Sequence, residues 1–186
     1  MKKIFALILF ILVSLSWSEN FVSAQTPNFP TFKLYLIGDA GEADTSAATL
    51  NELKIKLEAN PNSAVIFLGD NCYTGSIFGK ATFNVGGYDG SQLAKDRIMA
   101  QLNILRNYHG YVYFIPGNHD WYNKTNVKQG RKHLLEEIKF ITDTLKTFTS
   151  IKNHDEETYL PTDGNPGPVS RDFNDGKTRE IGRAHV

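Results

Sequence analysis

A single cysteine, Cys72, stands among the 186 residues, so no disulfide can close within one chain. Charge surplus is also missing: 20 basic and 20 acidic side chains cancel, leaving neither a basic field for nucleic acid nor an acidic tail. No apolar run reaches the roughly 20 residues that span a bilayer. There is no internal repeat, no low-complexity tract and no G-x-x-x-x-G-K-[ST] loop, which argues against a nucleotide kinase or ATPase. What remains, 41% hydrophobic and 12% aromatic, is the composition of an ordinary globular protein.

The start of the chain stands apart. "MKK" precedes the apolar run Ile4 to Leu15, and Val22-Ser23-Ala24 stands before Gln25, the parts of a secretory signal peptide over residues 1–24. The chain is therefore expected to be exported, to the periplasm, the cell surface or the medium, with no transmembrane segment after signal removal. Residues 25–179 read as the folded domain that follows. The last stretch, "EIGRAHV" from Glu180 to Val186, looks like a translated sequencing-library adapter and is read as a non-native tail.

Three β-rich apolar runs each end in glycine: Phe32–Ile37, Ala64–Leu68 and Tyr111–Ile115. Without strict alternation they read as strands covered on both faces, as in a parallel sheet. Helical spacing predicts helices over residues 45–59 (Leu50, Leu53, Leu57, with Asp44 or Thr45 as cap), 91–109 (Ala94, Ile98, Leu102, Leu105) and 129–146 (Leu134, Ile138, Ile141, Leu145). The order β-α-β-α-β-α predicts an α/β fold with parallel strands and right-handed crossovers, whose ligands gather at the carboxyl ends of the strands. Residues 74–90, with five glycines, and 161–176, rich in Pro, Gly, Asn and Asp, read as loops.

All three strand ends carry chemistry. Strand one runs into "GDAGE", strand two into "GDNCYTG", strand three into "GNHDWY". Asp39 and Asp70 at neighbouring tips repel as bare carboxylates unless a cation lies between them. Asn118 adds a neutral carbonyl oxygen, Tyr73 a phenol and His119 an imidazole, a donor set that suits iron, manganese or zinc. Two such ions roughly 3.5–4 Å apart can activate a water and hold the oxygens of a phosphate ester. Cys72 reads as a small buried hydrophobe, although its place near Asp70 leaves a metal role open. His109, His133 and His154 read as surface or packing residues.

The three ordered blocks, "GDAG … GDNCY … GNHD", resemble the first three of five signature blocks of the metallophosphoesterases. They look most like the purple acid phosphatase branch, whose pattern runs GDxG, GDxxY, GNH(D/E), VxxH and GHxH. The likeness covers roughly Leu34 to Tyr122. It implies that this is the N-terminal part of a four-layer α/β/β/α sandwich acting on phosphate esters. It also implies that Asp39 binds a first metal, Asp70 bridges both, Tyr73 ligates the first as phenolate and Asn118 ligates the second. His119 then contacts the phosphate or protonates the leaving group, and Asp120 orients His119. The metal pair implied is Fe(III) with Fe, Zn or Mn. Most metallophosphoesterases have D-x-H in block one; here Gly41 occupies the histidine position, and Tyr73 can supply the missing donor.

Blocks four and five, with three further histidines, are absent from these residues. The expectation is a chain that continues in its natural form and is weakly active or inactive as it stands. The alternative is a non-catalytic metal- or phosphate-binding module that kept three blocks. A serine esterase with a GDS block is disfavoured because Ala40 follows Asp39.

Overall fold

Three short strands, β1 (Lys33–Ile37), β2 (Ser63–Phe67) and β3 (Tyr111–Phe114), lie side by side in that order, all parallel. They come from a computed structural model that describes residues 31–73, 90–121, 127–162, 168–173, 176 and 178–183. The signal segment 1–24 and the glycine-rich residues 74–89 lie outside the described residues. The helices are α1 (Ala48–Glu58), α2 (Gly90–Asn103) and α3 (Val127–Leu145), giving the expected βαβαβα order. Among the described residues no helix is long and apolar enough to cross a membrane.

Register decides where the chemistry falls. Ile37 pairs with Phe67 and Phe67 with Phe114, so the three strands end level. The loops that follow therefore emerge along one edge of the sheet. One face, carrying Val65, Phe67, Val112 and Phe114, packs against the predicted leucine and isoleucine stripes of all three helices. The Phe67 and Phe114 rings stack at 4.2 Å between centroids, fixing β2 against β3 beneath the site.

The outer edge of β3 is closed by the chain that follows α3. Asn153 imitates a strand partner: its Oδ1 accepts the Val112 N–H at 3.0 Å and its Nδ2 donates to the Val112 carbonyl at 2.9 Å. Phe114 then bonds on both sides, to the Thr158 carbonyl and from the Leu160 N–H, each at 2.8 Å.

Four expectations need correction. β1 is not covered on both faces: Leu36 is 55% exposed, and only Tyr35 and Ile37 reach the helix-side core. A run of apolar residues cannot tell a strand covered on both faces from one covered on a single face, and among the described residues nothing covers Leu36. Secondly, α1 starts at Ala48 with Ala47 as cap, because Asp44 accepts from the Ser46 N–H at 2.8 Å and Ser46 hydroxyl at 2.6 Å. That local turn competes with capping. Thirdly, α2 ends at Asn103 and not near 109; Asn103 Oδ1 is held by Arg106 Nε at 3.0 Å while Ile104 and Leu105 stay buried in turns. The apolar period outlasts the helix.

Finally, residues 168–173 within the expected loop 161–176 form a strand. β4 (Pro168–Phe173) pairs antiparallel with β5 (Thr178–Arg183). Between them Gly176 has φ 78°, the positive-φ glycine of hairpin chemistry that a count of breaker residues overlooks. Glu180 to Arg183, the start of the expected tail, belong to β5.

Candidate metal centre

Two left-handed aspartates mark the site. Asp39 (φ 56°) and Asp70 (φ 53°) are the positive-φ non-glycine residues among those described. That conformation costs about 1–3 kcal/mol for a residue with a side chain, and such strain gathers where function requires a direction. It turns both carboxylates at the level ends of β1 and β2. The Asp39 N–H ties the two loops by donating to the Gly69 carbonyl at 3.2 Å.

Tyr73 closes the arrangement. Its phenol donates to Asp39 Oδ1 at 2.6 Å and reaches Asp70 Oδ2 at 3.3 Å. Block three reaches the same point through its backbone: the His119 N–H donates to Asp70 Oδ1 at 2.9 Å. The His119 ring meets the Tyr73 ring edge-on, 4.5 Å between centroids. Asn118 and His119 are exposed on this loop. Of the six residues singled out in the sequence, Asp39, Asp70, Tyr73 and His119 thus meet in one place, and Asn118 shares the loop of His119.

Steric contacts explain the glycines. A Cβ on Gly117 would lie 2.3 Å from Asp70 Oδ1, and one on Gly41 would lie 2.8 Å from the Tyr73 ring. The Gly41 Cβ would also meet the Asp70 carbonyl oxygen at 2.6 Å and the Cys72 nitrogen at 2.8 Å, so the block-two backbone itself excludes a side chain at position 41.

Asp120 faces the other way. It is 3% exposed, and its oxygens accept from the N–H groups of Asn71 (2.8 Å), Cys72 (3.1 Å) and Gly117 (2.7 Å) and from the Asn71 amide (3.2 Å). None of these donors is the His119 imidazole. Asp120 ties block two to block three and sets His119 only through the backbone they share. Cys72 is buried in the core, as read. His109 is exposed and the His154 ring bonds its own turn, Nδ1 to the Ile151 carbonyl at 2.9 Å.

A model of the calcineurin-like phosphoesterase family matches residues 32–181. The chain belongs to that family. No curated protein and no solved structure gives a match. Proteins of this family are metal-dependent phosphoesterases that bind two metal ions, so the donors of this member can be tested against that need. Among the described residues no group of three or more His, Cys, Asp and Glu side chains gathers at one point. The convergent donors are two carboxylates and a phenol, and they fit a hard cation. Burial, then the bond to Asp39, holds the Tyr73 phenol well above its ordinary value. A cation taking the place of that proton would relieve two facing carboxylates.

Beneath these donors lies a polar layer that motif reading missed. Gln101 of α2 donates from Nε2 to the Asn71 carbonyl at 2.8 Å and the Ala40 carbonyl at 3.3 Å, linking blocks one and two. Glu137 of α3 accepts from the Tyr159 hydroxyl at 3.0 Å and the Asn71 amide at 3.4 Å. The signal was present in the helical periods: Gln101 and Glu137 each lie three residues past an apolar stripe position, Ile98 and Leu134. A polar side chain on a core face needs a partner.

Asp120 and Glu137 both hold their protons above the ordinary carboxyl range. Burial is the main cause for each; the Asp70 charge adds to it for Asp120, the Asp120 charge for Glu137, and backbone N–H groups pull Asp120 back. A raised carboxyl contributes stability in full below its unfolded value, here 3.8 for Asp120 and 4.5 for Glu137, and loses it as pH climbs to the folded value. Thermal melts of the metal-free chain are therefore expected to fall as pH climbs from about 4 to about 7. Glu137→Gln should flatten that slope, and an equal slope in both proteins would contradict the assignment.

Proposed function

We propose that this chain carries the centre of an exported, purple acid phosphatase-like enzyme that hydrolyses phosphate monoesters with two metal ions. The observation that carries this reading is the Tyr73 hydroxyl held between Asp39 and Asp70, at 2.6 and 3.3 Å. Asp39 and Tyr73 would hold the first ion, Asp70 would be shared, and Asn118 would hold the second. A phenolate is a hard anionic donor and favours Fe(III); Fe, Zn or Mn suits the second position. Bound there, the ions supply Lewis acidity for phosphoryl oxygens and acidify a water.

The chain's own groups do the rest. Tyr73 must give up its phenolic proton on loading, and burial with the Asp39 bond opposes this, so loading is favoured as pH rises. His119, exposed beside Tyr73, contacts the phosphate or donates a proton to the leaving oxygen. Asp120 holds the loop that presents His119 through the Gly117 N–H at 2.7 Å.

Tyr73→Phe tests the reading directly. The unsubstituted protein loaded with iron is expected to show a visible iron–tyrosinate absorption band and to turn over an aryl phosphate monoester weakly or not at all. The phenylalanine variant should keep its fold, lose the band and lose about tenfold or more in metal affinity. A band that survives the substitution removes Tyr73 from the first ion.

A further inference from the structure

Glu137 is 3% exposed on a helix face otherwise made of Leu134, Ile138 and Ile141. A leucine there would extend the core without a buried carboxyl, which costs stability unless well paired. Folding alone therefore does not account for the acid at this position. Its two donors point to its task. Tyr159, itself fully buried, fixes Oε1 from below at 3.0 Å, and Asn71 meets the same oxygen from the site side at 3.4 Å.

Asn71 is the connection to the site. Its Nδ2 is drawn inward by the Ile115 carbonyl at 3.1 Å, Asp120 at 3.2 Å and Glu137, while its buried Oδ1 finds no partner among the described residues. The side chain is thus held by its donors at the expense of its acceptor. It neighbours Asp70 directly, whose φ of 53° has to be held against an intrinsic cost.

We propose that Glu137 is a positioning residue for the metal centre: by anchoring the Asn71 amide and abutting Asp120, it keeps Asp70 and the His119 loop in their bonded pose. The inference rests on the reading of Asp70 as a metal ligand given above. Its outer-layer role resembles that of groups that orient ligands without touching the metal, whose removal typically costs about 10–100-fold in metal affinity.

Glu137→Gln and Glu137→Leu separate positioning from packing. Glutamine keeps a neutral acceptor oxygen; leucine keeps the volume and removes every bond. Hydrogen exchange at the His119 amide, whose N–H is held by Asp70, is read first in the metal-free protein. Affinity for Mn(II) and Zn(II) is then read by titration. Leucine is expected to speed exchange at His119 and weaken metal binding, each by about tenfold or more, while stability in denaturant stays level or rises. Glutamine should restore both to within about threefold of the parent. Unchanged exchange and affinity in the leucine variant overturn the proposal, as does a loss that glutamine fails to rescue.

Should leucine prevent folding, Tyr159→Phe removes only the hydroxyl on Oε1 and is expected to speed His119 exchange in the same sense. No change there also overturns the proposal. If the parent protein binds neither ion, the ligand reading of Asp70 fails by itself, and the exchange comparison still decides whether Glu137 holds the loop.

Discussion

Asp70→Asn is expected to lower metal affinity by more than about a hundredfold and to take phosphate-ester turnover with it, exceeding the loss typical of groups that only support a ligand. The substitution isolates charge from shape. Asparagine tolerates the left-handed backbone almost as well as aspartate, so the φ of 53° can persist. Its carbonyl can still accept the His119 N–H that Asp70 Oδ1 holds at 2.9 Å. What disappears is the negative charge shared with Asp39 around the Tyr73 hydroxyl. Asp70→Ala should abolish turnover outright, with a further stability loss of about 1 kcal/mol from an alanine in that conformation. Calorimetric titration with Mn(II) or Zn(II), beside turnover of an aryl phosphate, checks both. Retention of most of the affinity in the asparagine variant would remove Asp70 from the shared position.

Gly69→Ala should destabilise the chain by about 3 kcal/mol or more, and it should do so from the middle of the site. Gly69 has φ +98°, and a Cβ there would lie 2.3 Å from the Gly117 nitrogen and 2.6 Å from its Cα. Those are backbone atoms, unable to swing aside like the end of a side chain. The strained backbone costs about 1–3 kcal/mol, and displacing a packed neighbour costs about as much again. Blocks two and three must then separate, pulling Gly117 from Asp120 and His119 from Asp70. Gly38→Ala is the internal control, since its Cβ would meet only Leu68 Cβ at an ordinary 3.8 Å. Denaturant midpoints for the pair give the answer: equal stabilities would mean that the close approach of the two loops is not required.

Much of this was legible in the chain. Leu50, Leu53 and Leu57, then Ala94, Ile98, Leu102 and Leu105, then Leu134, Ile138, Ile141 and Leu145, all face the core as their spacing predicts. Site residues were legible because glycine followed by a polar donor, after a run of β-rich residues, is a poor way to end a strand unless the donor has work to do. The hairpin β4–β5 was not legible by counting breakers, because Asp175-Gly176 reads the same in a loop and in a turn. Nor was the exposure of Leu36, which depends on what packs over that face of the sheet and not on the residues within β1.

By itself the sequence determined the α/β order, the helix faces that form the core, and the three strand ends where Asp39, Asp70, Tyr73, Asn118 and His119 reside. Period and residue type are local properties, and a local reading recovers them. Only the tertiary structure decided that Asp120 turns inward to backbone N–H groups and that Gln101 and Glu137 underpin the site from two different helices. Hydrogen bonds join Asn71 to Glu137 across 66 positions of the chain and Gln101 to Ala40 across 61. Partners that distant are chosen by how the layers stack, a fact that no window of neighbouring residues contains.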